Sequence, residues 1–147
     1  MEENEFVRDE ALEVVVQNLI DTEAALIYLR AGKAEVVVIR SNKVKKNDGV
    51  PVFADCELIP DKFKWATTAQ FMITVYTPNT YSFDVKRFRI LLFQQLLKIT
   101  PKEKEGEFKL RDYDVKDFSL IVDRYGANWY RMPELFDEVE NDEEANN

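Results

Sequence analysis

The run SFDVKRFRILLFQQLLKI, residues 82–99, most constrains what this chain can fold into. Phe88, Leu92, Gln95, Leu96 and Ile99 fall on or near one face of a helix. Ser82 is placed to cap that helix, Asp84 suits its first turn and Pro101 stops it. Just before it, residues 70–76 (QFMITVY) alternate Phe71, Ile73 and Val75 with Met72, Thr74 and Tyr76. That is the period of a strand, and Pro78 ends it.

The remaining elements are read around this pair. Acids at the front and apolar residues near helical spacing (Phe6, Leu12, Val15, Val16, Leu19) predict an amphipathic helix over 7–20. Residues 24–30 (AALIYLR) read as a short strand, 31–33 as a turn and 34–44 as a β-branched second strand. Together they predict an antiparallel hairpin. Residues 45–51 have polar turn chemistry, and 52–68 stay ambiguous, with a short helical turn allowed at Pro60–Phe63. Residues 102–106 form a charged loop and 107–111 a short strand or extended arm. A last helix starts at Asp114, with Asp117 in a capping-box-like position; Val115, Phe118, Ile121, Val122 and Tyr125 form its stripe, and Gly126 closes it. The predicted class is α+β: a small, mostly antiparallel three-stranded sheet against a long helix, with helices before and after. The organisation expected is an acidic end over 1–6, one domain over 7–133 and an acidic, disordered tail over 134–147.

Composition narrows the chemistry. The 147 residues include no histidine, which removes imidazole as base, metal ligand or pH switch. Ser-His-Asp and Cys-His catalysis go with it. The single cysteine, Cys56, excludes an internal disulfide and fits a reducing compartment. Gly32, Gly49, Gly106 and Gly126 are too scattered for a phosphate-binding loop. The acidic start is unlike a signal peptide, and no apolar run is long enough to span a bilayer. A soluble protein of the cytoplasm is expected. The net charge of −8 belongs to the ends: residues 11–133 hold 19 bases against 16 acids, a net of +3.

The run Leu91-Leu92-Phe93-Gln94-Gln95-Leu96-Leu97-Lys98-Ile99, then Tyr113-Asp114-Val115-Lys116-Asp117-Phe118 and Arg124-Tyr125-Gly126, resembles the putative phage metallopeptidase family, a zincin-like group. The resemblance spans roughly residues 10–131. It implies a helix carrying L-L-x-H-E-L-x-H-[IV], followed by H-D-V-x-x-F at the start of the final helix. It implies zinc-ligand histidines at Gln94, Lys98 and Tyr113, and the general-base glutamate at Gln95. All four positions differ here. HExxH works because positions i and i+4 face one metal ion while the glutamate deprotonates its water. An amide is a poor zinc ligand and a poor base, and an ammonium has no lone pair to donate. The resemblance therefore implies a pseudoenzyme without metal or other cofactor, with Gln94, Gln95, Lys98 and Tyr113 lining a vestigial pocket.

Other constellations are weaker. Lys33, Arg40, Lys43, Lys45 and Lys46 gather near the second strand, and Lys86, Arg87 and Arg89 start the long helix. They read first as solvated charge, second as a phosphate-contacting surface. Trp129 and Tyr130 read as folding back onto the sheet. An exposed Trp129-Tyr130-Arg131 would instead be an interface anchor. The expected function is non-catalytic binding of a macromolecule, a host protein first, without membrane contact. The alternative is a nucleic-acid-binding accessory protein whose acidic tail covers a mildly basic body. A carboxylate-held Mg²⁺ or Mn²⁺ enzyme is a third class, but no spacing of acids singles out a site.

Overall fold

The computed structural model describes residues 5–102, 107–111, 118–126 and 129–130. The class is α+β, as read from the sequence. Its centre is a four-stranded mixed sheet in the order β1 (Phe6–Arg8), β2 (Val36–Ser41), β6 (Phe71–Tyr76), β5 (Ala54–Leu58). β1 runs antiparallel to β2, β2 parallel to β6, and β6 antiparallel to β5. Between β2 and β5 sits a small hairpin of β3 (Lys46–Asn47) and β4 (Val50–Pro51). Its two turn residues, Asp48 and Gly49, both have positive φ (52° and 79°), which lets so tight a turn match the strand twist. Outside the sheet, β7 (Ile99–Pro101) pairs antiparallel with β8 (Phe108–Leu110), so 107–111 contributes a strand.

The sheet is mostly antiparallel as expected, with two antiparallel pairings and one parallel, but it has four strands, not three, and none of them is 24–30. Residues 24–30 are helical: a 3₁₀ turn at Ala24–Leu26 runs into α2 (Ile27–Ala31). Leu26 and Leu29, three residues apart, are fully buried, and the Arg30 Nε–H donates to the Ile20 carbonyl at 3.0 Å. Alanine, leucine and arginine favour helix, and a short apolar run fits either period. With no strand there, no 24–44 hairpin forms. The first helix, α1 (Glu10–Thr22), begins later than expected because Asp9 caps it, accepting from Leu12 N at 3.0 Å. The chain before Asp9 is then free to pair as β1.

The long helix is α3 (Val85–Leu96), and Asp84, not Ser82, is its cap, accepting from Arg87 N at 2.8 Å. α1 packs on β2 and on α3, and α3 packs on β5, so the two helices form one layer against the sheet. Phe71, Ile73 and Val75 of β6 are fully buried, as the alternation predicts. From Ile90 to Leu96 every residue of α3 is buried, so this part of the helix is enclosed on all sides, while its first turn, with Val85 and Lys86, is exposed. α4 (Ser119–Tyr125) is the described part of the last helix. Gly126 follows it at φ 89°, and its N–H donates to the Val122 carbonyl at 2.9 Å. The proposed caps at Asp114 and Asp117, and the acidic tail, lie outside the described residues. No helix among the described residues is long and apolar enough to cross a membrane.

Candidate functional site

A helix enclosed by core makes every polar side chain on it costly. α3 carries two amides in its buried stretch. Gln94 is 9% exposed and Gln95 1%. Gln95 Nε2–H donates to Gln94 Oε1 at 3.1 Å, and Gln95 Oε1 is buried without a hydrogen-bond partner among the described residues. One turn on, Lys98 is half-buried just past the helix end. Its carbonyl accepts from Arg111 N at 2.7 Å, and Arg111 Nε donates to the Leu97 carbonyl at 3.0 Å. Those two bonds close the C-terminus of α3, where carbonyls lack partners within the helix.

Lys98 adds positive charge near β5. Burial pushes the Cys56 thiol up to about 12, Lys98 opposing the shift and Glu57 and Asp55 adding to it. Cys56 is therefore a protonated, half-buried thiol rather than a nucleophile. Asp55 is the anionic centre of this region. Burial would raise its carboxyl, but hydrogen bonds from Lys45 and Tyr76 and the charges of Lys45 and Lys98 hold it below the ordinary carboxylate range. The Tyr76 hydroxyl donates to Asp55 Oδ2 at 2.6 Å, and Lys45 Nζ donates to the same oxygen. This group was not visible in the sequence. Its members come from β5, β6 and the loop after β2, and no short-range spacing links them.

The structure brings Gln94 and Gln95 into contact and sets Lys98 beside them on the same helix. Tyr113 and Arg131 lie outside the described residues. Trp129 is not an exposed anchor: it is 1% exposed, with ring centroids 6.4 Å from Phe53 and 5.9 Å from Phe83. Tyr130 is partly buried, 5.2 Å from Phe53. The pair folds back onto the core because a large apolar ring gains more there than in water.

Four of the basic residues singled out in the sequence, Arg40, Lys45, Arg87 and Arg89, are engaged within the fold. Arg40 Nε meets Asp9 Oδ2 at 2.6 Å and lies over the Phe88 ring at 5.0 Å. Arg87 is itself a buried residue, paired with Asp84 at 3.1 Å, and Arg89 donates to Asn18 at 2.8 Å.

A strand leading through a short turn into a buried helix, with its polar positions at the helix's C-terminal half, is the frame of a helix-borne site. The family model described as putative phage metallopeptidase matches residues 4–140, and the chain belongs to that family. No curated protein and no solved structure matches it. The family's description implies a metal, and Gln94, Gln95 and Lys98, where the sequence resemblance expects two ligands and the base, are not side chains that suit zinc. One hydrogen bond joins the amides of Gln94 and Gln95, amides are poor zinc ligands, and Lys98 offers three donors and no acceptor. Among the described residues no group of three or more His, Cys, Asp or Glu could hold a metal ion.

Proposed function

We propose that this member of the family is non-catalytic and acts by binding a macromolecular partner, a host protein first. The observation that carries the reading is the amide pair. Where the sequence resemblance expects the first zinc ligand and the general base stand two buried amides bonded to each other, with an ammonium one turn further. Such a set makes a poor zinc site and takes no proton near neutral pH. The apolar frame of the helix persists around it, which supports retention of the fold for recognition. The ion-paired state of Arg40, Lys45 and Arg87 favours a protein over a nucleic-acid partner, because those charges are spent within the fold.

Elemental analysis by inductively coupled plasma mass spectrometry tests the reading on protein purified without chelator. Zinc well below one ion per chain is expected, with no change in thermal midpoint on adding zinc. Stoichiometric zinc overturns it. Affinity capture from host lysate, with mass spectrometry, then names the partner.

A further inference from the structure

The sheet has an opening on the side of β2 away from β6. β1 pairs only with Ile39–Ser41, because the chain leaves the sheet at Asp9 to enter α1. Beyond that point the edge of β2 is closed one residue further. Asp9 N–H donates to the Val38 carbonyl at 2.8 Å, and Val38 N–H donates to Glu13 Oε2 at 3.3 Å. Alternation along the strand points the main-chain groups of Val36, Val38 and Arg40 the same way, toward β1. Val36 therefore presents its N–H and C=O to an edge that no strand among the described residues covers. This place is the wall of a groove of about 570 Å³. One bank is Arg8, Glu13 and Gln17, with Arg8 and Glu13 in a two-pronged pair at 2.8 Å. The other is the 64–69 loop, fixed where Thr68 Oγ1 donates to Glu35 Oε2 at 2.5 Å. On that loop Trp65 is 85% exposed, and Lys64 makes no ion pair among the described residues.

We propose that this groove is a docking slot for an extended segment of a partner protein, which pairs by its main chain with Val36 and continues the line of β1. An open strand edge is complementary to an extended backbone. An exposed tryptophan beside it supplies the large contact area typical of binding hot spots. Lys64 calls for a carboxylate on the segment, next to an apolar side chain lying on Trp65. The slot names a surface and partner class for the binding reading above, but it stands on β2 and not on α3. Stoichiometric zinc would overturn that reading and leave the slot untouched.

Two measurements test it. In the free, full-length protein, hydrogen exchange read by NMR should find the Val36 amide fast and the Ile39 amide protected. A random peptide display library panned on the wild-type protein, with Trp65→Ala as counter-selection, supplies the probe. The tightest selected peptide should lose about tenfold or more in affinity on Trp65→Ala and on Val36→Pro. It should also slow exchange at Val36 when bound. Proline at an unpaired strand edge removes only the free donor, and Trp65→Ala alters a surface residue, so at least one variant keeps the fold. Four results overturn the proposal. They are a Val36 amide as protected as Ile39, no peptide selected, an affinity that Val36→Pro leaves at the wild-type level, and a wild-type dimer that Val36→Pro dissociates.

Discussion

Gln95 shows what a residue type in the wrong surroundings costs. A buried polar atom left without a partner is worth about 1–3 kcal/mol of lost stability. Replacing both amides with apolar side chains of similar length removes that cost without leaving Gln94 Oε1 short of its donor, Gln95 Nε2. The double substitution Gln94→Met with Gln95→Met should therefore be neutral or stabilising by about 1 kcal/mol in urea denaturation. A clear loss would show that the amide pair has further partners in solution. That Gln94, Gln95 and Lys98 lie together at the end of one helix was legible from the sequence, because it needed only the helical spacing. The mutual bond of the amides was not, since i and i+1 side chains on a helix do not ordinarily face each other. Asp55 was illegible for a different reason: its partners Lys45 and Tyr76 are joined to it only by the folding of three separate segments.

At the scale of the element, the caps decide where helices begin. Ser82 and Asp84 both suit the start of α3 by type, and sequence reasoning gave the cap to Ser82. The carboxylate at Asp84 takes it because one oxygen accepts from Arg87 N while the other meets the Arg87 guanidinium at 3.1 Å. Asp84→Ala should cost more than about 1 kcal/mol, since it removes the cap and a partner of the buried Arg87, whereas Ser82→Ala should stay within about 0.5 kcal/mol. Comparison of the two urea midpoints checks this, and equal losses would return the cap to Ser82. The same scale explains the misread 24–30 segment. Its pattern holds too few residues to separate periods of two and 3.6, and burial of Leu26 and Leu29 settled it only once α1 and the sheet were in place. β6, with a full run of alternation and a proline after it, needed no such help.

For the whole molecule, the ion pairs that join elements set its response to acid. Arg40 on β2 meets Asp9 ahead of α1, and Lys45 meets Asp55 on β5. Asp9 is subject to burial, which raises its carboxyl, but the hydrogen bond from Arg40 and those from the helix start hold it below its ordinary value. Glu13 is lowered first by its hydrogen bonds from Arg8, against burial. A carboxylate depressed in the folded state contributes stability that is present above its unfolded value and lost as pH falls through the folded one. Stability should therefore decline from about pH 5 to about pH 3, and more gently in Asp55→Asn and Asp9→Asn. Urea midpoints across that range check it; an unchanged slope in both variants would show that these pairs do not carry the effect.

Sequence alone determined the α+β class, β6 and the helix after it, the lack of imidazole chemistry and the family. Each of these depends on periodicity, composition or a motif within one continuous stretch. Only the tertiary structure decided that β2 lies parallel to β6, that Trp129 belongs to the core and that β1 stops short of Val36. Those are outcomes of which distant surfaces bury each other, and a local pattern cannot encode them because every strand can pair on two edges.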